Sequence, residues 1–262
     1  MSLQKRLFLI LWLAGMIGVL SFLLVDLSKL IQLFPLPPDV EKPAVTPLLK
    51  FGSLLQPAIL LAIAVLIGTA LARKVGLTSP VAEAIASGGD AMQAFRPQWL
   101  PGLLGGISGG ITIVAIALIW KPFLPPDVVT RVAELGTLMP IPTRILYGGF
   151  TEELLLRWGL MTLLVWIPWR AFQNRDEVPK PQYVVGAILI SSLVFAIGHL
   201  PIASMLVPKL TILLTSYVIV ANSVFGLIAG YLYWKKGLES AVLAHMLTHV
   251  VLISASYLGA YF

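Results

Sequence analysis

Long apolar runs separated by short polar segments dominate the chain. A helix needs about 20 apolar residues to cross roughly 30 Å of hydrocarbon, and runs of that kind sit at 7–25, 51–72, 99–120, 150–169, 183–200, 210–233 and 238–261. The pattern predicts an all-α, polytopic transmembrane helix bundle. The stretch 121–149 is moderately apolar but broken by Pro122, Pro125, Pro126, Pro140 and Pro142, so it is expected to hold either one more span or a helix lying at the interface, for seven to eight spans in all. Between the runs, Pro35, Pro37, Pro38, Pro43 and Pro47 mark an extended linker, because each ring fixes φ and removes a donor. Residues 73–98 read as a short surface helix broken at Gly88 and Gly89. Lys5 and Arg6 precede a first run longer than a signal-peptide core, with no small-x-small cleavage site before Asp26, and the reading is a retained span.

Composition agrees with this pattern. Of 262 residues, 58% are hydrophobic and 11% charged, with a mean hydropathy of +0.92, against about 25% charged residues in ordinary soluble domains. The net charge of +6 does not form a nucleic-acid patch, since the basic residues fall in segments between apolar runs. With the N-terminus inside, the cytoplasmic segments take Lys5, Arg6, Arg73, Lys74, Arg96, Arg170, Arg175, Lys180, Lys235 and Lys236. The far side takes Lys29, Lys42, Lys50, Lys121, Arg131, Arg144 and Lys209, the smaller set, which favours a cytoplasmic N-terminus. Cysteine is absent, which excludes disulfides, a thiolate nucleophile and a CxxC metal site.

A few polar side chains break the apolar pattern where insertion costs on the order of 2.5–3.5 kcal/mol each, so they are expected to pair or to line a wet cavity. Glu152, Glu153 and Arg157 stand at the mouth of the fourth run, in "GGFTEELLLRWGL". Glu153 and Arg157 have the favourable i, i+4 order and should pair. Glu152 then has no partner in its own segment, and a desolvated free carboxylate suits a general base. The alternative is that both acids sit in headgroup water at a helix start. All three histidines also lie in apolar runs: His199 in "VFAIGHLP", and His245 and His249 four apart in "LAHMLTHV". A lone histidine in such a place is usually a packing residue, but three of them with an unpaired glutamate, spread over three runs, read as one site between facing helices.

These residues fall into three ordered blocks: "EELLLR" with Glu152, Glu153 and Arg157; "FAIGH" with Phe195 and His199; and "FGLIAGYLYWKKGLESAVLAHMLTH", which closes on His245 and His249. Over about residues 145–255 the chain resembles the CPBP intramembrane proteases, also called the Abi family, which include the type II CAAX prenyl endopeptidases and bacteriocin-immunity proteins. The resemblance divides one integral membrane domain into N-terminal helices and loops at 1–145 and a catalytic helix bundle at 146–262. It implies hydrolysis of a peptide bond in a peptide or membrane-protein substrate that enters from the bilayer. Glu152 would be the general base, His199 would hold the water, and His245 and His249 would donate to the oxyanion, with Glu153, Arg157 and Phe195 structural. The family's last position is Asn or Asp, and here it is His249.

Other readings remain open. If a zinc ion were bound, Glu152, His199 and His245 would be its ligands, although "HMLTH" lacks the Glu of H-E-x-x-H, and no cofactor is the expectation. "GGISGG" at 105–110 places Ser108 in a motif like that of serine peptidases. The glycines there repeat every four residues, which fits close helix packing better. A non-catalytic scaffold or immunity protein, or a proton-coupled transporter, would also carry intramembrane Glu and His, but no inverted repeat is visible.

Overall fold

The computed structural model describes residues 1–34, 44–173, 177–259 and 261, and shows an all-α chain. Most of the proline-rich linker, with Lys42 and Arg175, lies outside the described residues. Among the described residues six helices are long and apolar enough to cross a membrane: α1 (Leu3–Leu24), α2 (Pro47–Val75), α3 (Ala91–Phe123), α5 (Pro181–Met205), α6 (Ile212–Lys235) and α7 (Leu238–Tyr257). The protein is thus a multi-pass integral membrane protein. Its outer face is apolar, with Leu13, Ile17, Leu66, Ile111, Ile119 and Leu189 all more than half exposed, which in water would be a large sticky surface and in a bilayer meets lipid.

The seven to eight spans expected are not what the structure shows. The run at 150–169 belongs to a helix of a different kind, α4 (144–172), made of two π-wound stretches, Arg144–Thr151 and Leu154–Met161, and an α-helical end, Thr162–Phe172. Its buried side chains include Thr151, Glu153, Leu154, Arg157, Trp158, Met161 and Val165, so α4 is wrapped by protein where the other helices face outward. Helices α1, α2, α5, α6 and α7 all pack against it. The extra span considered at 121–149 is absent. That stretch holds a helix of 13 residues, Pro126–Leu138, begun by Pro126 at its first position. Thirteen residues rise only about 20 Å, too short to cross. Arg131 ties this helix to the rest through a 2.9 Å hydrogen bond to the Leu206 carbonyl.

Gly88 ends the short helix Pro80–Ser87 with φ +78°, as the sequence suggests. Residues 91–98 differ from expectation, for they belong to α3 rather than to the surface helix. The Asp90 side chain caps the start of α3 by accepting from the N–H groups of Met92 and Gln93, at 2.9 and 3.0 Å, and the helix continues through Pro97 and Pro101.

Buried hydroxyls join the helices to one another. Thr143 donates to the Ser21 carbonyl and Thr151 to that of Gly15, both at 2.8 Å, holding α4 to α1. Thr162 and Tyr233 share a 2.8 Å hydrogen bond between α4 and α6. Such bonds replace the hydrophobic drive that helices lack when lipid is the solvent.

Candidate active site

The two glutamates of α4 point in different directions. Glu153 is fully buried, its Oε2 3.2 Å from Arg157 Nε and its Oε1 2.8 Å from His245 Nδ1 on α7. The i, i+4 pairing with Arg157 is as the sequence suggests. The bond to His245 is not readable there, since 92 residues separate the partners. Arg157, also fully buried, donates from Nη2 to the Gly226 carbonyl on α6 at 2.9 Å and lies 5.3 Å from the centre of the Phe195 ring. One carboxylate thus holds a helix-α4 guanidinium on one oxygen and a helix-α7 imidazole on the other.

Glu152 faces a cavity of about 370 Å3. It makes neither a hydrogen bond nor an ion pair among the described residues. The same cavity is lined by Phe195, His199, His245 and His249. The structure therefore brings Glu152 and all three histidines to one space, with Glu153 and Arg157 behind that wall.

Hydrogen bonds set the orientation of each imidazole. His199 Nδ1 lies 2.9 Å from the Phe195 carbonyl, which only accepts, so the proton sits on Nδ1 and a neutral ring keeps Nε2 as an acceptor. By the same logic the Glu153 carboxylate places a proton on His245 Nδ1. His249 stacks on His245 with ring centres 5.0 Å apart and 11° between planes, and among the described residues neither of its buried ring nitrogens has a hydrogen-bond partner. Gly148 allows this arrangement, because a Cβ there would collide with His249 Nε2. The Phe195 ring is set edgewise to both His199 and His245, at 4.7 and 5.7 Å, and fills the space between them.

Among the polar residues of the cavity that sequence reading overlooked are Asn222 and Arg144. Asn222 donates to the Val218 carbonyl at 2.8 Å, and a single amide in the apolar run "VIVANSVFGL" was the signal available for it. Arg144 counts as a loop charge in the orientation argument, yet it stands in the first turn of α4 and lines the cavity. Ser108 lies elsewhere, on an exposed face of α3, its hydroxyl bonded to the Gly105 carbonyl of its own helix at 3.2 Å. The conditional zinc set of Glu152, His199 and His245 does not form a ligand shell, for among the described residues no three His, Asp or Glu side chains are grouped to hold a metal ion.

The fold and site define a class: a multi-pass membrane helix bundle whose core joins a buried Glu–Arg–His cluster to a cavity lined by a second glutamate and further imidazoles. Residues 134–251 match the family described as type II CAAX prenyl endopeptidase, Rce1-like. No curated protein and no solved structure matches the chain.

Proposed function

We propose that the protein is an intramembrane endopeptidase that hydrolyses a peptide bond of a membrane-associated substrate with water activated by Glu152 and His199. The observation that carries the reading is the shared cavity, in which an unpartnered carboxylate meets three imidazoles. Glu152 takes a proton from the water, whose other hydrogen donates to the free His199 Nε2, and the oxygen attacks the scissile carbonyl carbon. The carbonyl electrons move onto oxygen. A second proton on His245 makes its Nε2–H a donor to that oxyanion, with the Glu153 carboxylate balancing the charge, and His249 supplies another donor from its unpartnered ring. Glu152 then returns its proton to the leaving nitrogen as the C–N bond breaks, releasing an acid and an amine.

Charge balance supports this assignment. The Glu153 carboxylate and the Arg157 guanidinium cancel, so one proton carried by either Glu152 or His245 leaves the four groups neutral, and a low-dielectric core tolerates a neutral set far better than a net charge. Arg157 and Glu153 are then positioning residues that act through His245. A cytoplasmic N-terminus remains the orientation favoured by the Lys and Arg distribution. The experiment is cleavage of a lipid-anchored peptide library by the purified full chain beside Glu152→Gln, read by mass spectrometry. Defined products from the wild type and none from the variant are expected, and equal product from both would remove Glu152 from the mechanism.

A further inference from the structure

The cavity that holds Glu152 does not sit midway through the bundle. Glu152 lies toward the start of α4, and that start packs on the end of α1, where Thr143 bonds to Ser21 and Leu146 crowds Gly18. His199 ends the long stretch of α5, and His249 lies in the second half of α7. From there the lining runs on to Phe22 in the last turn of α1, Met139, Tyr217 near the start of α6 and Ser256 near the end of α7. In the opposite direction Arg157, Trp158, Tyr233 and Leu238 are fully buried and seal the bundle. Among the described residues the cavity therefore leads to one membrane surface.

The sealed end carries basic doublets. Lys5 and Arg6 open α1, Arg73 and Lys74 close α2, and Lys235 and Lys236 close α6. These helix ends lie together: Lys5 shares a groove with Thr69 and Ala70, and Leu238, just past the third doublet, donates to the Thr78 carbonyl at 3.1 Å. At the cavity end the described basic residues come singly, and two of them are engaged, Lys29 with Asp26 and Arg131 with the Leu206 carbonyl. Lysine and arginine in short segments beside spans resist translocation, so the doublet end is the cytoplasmic one. Lys235, with Nζ 3.4 Å from the centre of the Trp234 ring, joins charge to indole there as interfacial anchors do.

We infer that the cavity opens on the non-cytoplasmic face of the membrane, and that the peptide it takes has already been carried across or into the bilayer. Its substrates are then exported or membrane-inserted chains, cut in or beside the outer leaflet, rather than cytoplasmic proteins that dock on the membrane from inside. A cytoplasmic peptide would have to pass the layer of Arg157, Trp158 and Tyr233 to meet Glu152. The substrate class rests on the peptidase reading, whereas the facing of the cavity belongs to the folded chain and is read without turnover.

The chain has no cysteine, so single thiols report position cleanly. Thr137→Cys and Ser204→Cys mark the cavity end, Ser87→Cys and Gln93→Cys the doublet end; all four sites are exposed and none carries a charge. A membrane-impermeant polyethylene-glycol maleimide is applied to right-side-out and inside-out vesicles from bacterial cells expressing the full chain, and labelling is read as a gel shift. Thr137→Cys and Ser204→Cys should shift only in right-side-out vesicles, and Ser87→Cys and Gln93→Cys only in inside-out ones. The reverse pattern, labelling of both pairs from one side, or labelling of the cavity-end pair from neither, would overturn the inference. A lipid-anchored peptide library is then added outside both kinds of vesicle carrying the wild type. Right-side-out vesicles should cleave it, and equal or exclusive cleavage by inside-out vesicles would overturn the one-sided opening. If neither kind cleaves while the thiols label as expected, the peptidase reading fails and the orientation stands. If labelling is reversed while cleavage persists, the orientation fails and the peptidase reading survives.

Discussion

Helix α7 meets its neighbours with two unlike faces. Toward α3 it presents Ser240, Ala244 and Val251, and the facing glycines allow near-contact of backbones: a Cβ at Gly102 would lie 2.9 Å from the Ser240 carbonyl oxygen, and one at Gly106 2.6 Å from that of Ala244. Toward α4 it presents His245, Met246 and His249, again over glycines, Gly148 and Gly149. Both contacts use missing side chains to bring helices close. The first fills the gain with van der Waals contact and two hydroxyl bonds, Thr248 to the Gly106 carbonyl at 3.1 Å and Ser240 to the Gln98 carbonyl at 3.2 Å. The second uses it to hold the His245 imidazole against the Glu153 carboxylate, at a desolvation cost that their pairing offsets. Close packing builds a scaffold on one side of α7 and a cavity lined by imidazoles on the other.

The comparison breaks most sharply at Arg157. Removing one partner of a buried ion pair leaves a stranded charge worth about 3–5 kcal/mol, so Arg157→Ala should lower the melting temperature strongly and activity with it. Unchanged melting with lost cleavage would place Arg157 in contact with substrate instead. His249→Ala should keep its melting temperature and lose about 10²–10³ in rate, the usual effect of one missing oxyanion donor, while His249→Asn, whose amide also donates, should retain most of it. A dead Asn variant would show that His249 does chemistry beyond donation. On the scaffold face, Gly106→Val forces α3 away from α7 and should cost about 1–3 kcal/mol in stability, as overpacking does. Its activity per folded molecule should change less than that of His249→Ala. Ser108→Ala should leave cleavage intact and stability within about 0.5 kcal/mol, as surface changes usually do, and a dead Ser108→Ala protein would revive a serine mechanism.

The two faces differed in how far the sequence disclosed them. Repeated glycines at Gly102, Gly106 and Gly110 announced the scaffold contact, because close helix packing has a local period. The Glu153–Arg157 pair was legible for the same reason, one helical turn. The Glu153–His245 bond depends on two distant segments meeting, which no local pattern encodes. Winding misled the reading of α4. Its apolar count matched a span, while its π-wound turns and its five charged-type side chains, Arg144, Glu152, Glu153, Arg157 and Arg170, belong to a helix enclosed by others, and π-type turns are frequent at functional sites. Arg144 reads as a loop charge because its neighbours in sequence, Pro140 and Pro142, have the pattern of a loop, and only the folded chain brings it to the cavity.

The central claim is a division of labour between adjacent glutamates: Glu152 faces the cavity and does the chemistry, and Glu153 holds His245 and Arg157 in place. Melting temperature and cleavage of one lipid-anchored peptide, measured side by side for wild type, Glu152→Gln and Glu153→Gln, test it directly. Glu152→Gln should melt as the wild type does and cleave nothing, whereas Glu153→Gln should melt lower, since Arg157 loses its counter-charge, and should lose activity only as its histidine loosens. A stable, inactive Glu153→Gln beside an active Glu152→Gln would contradict the account.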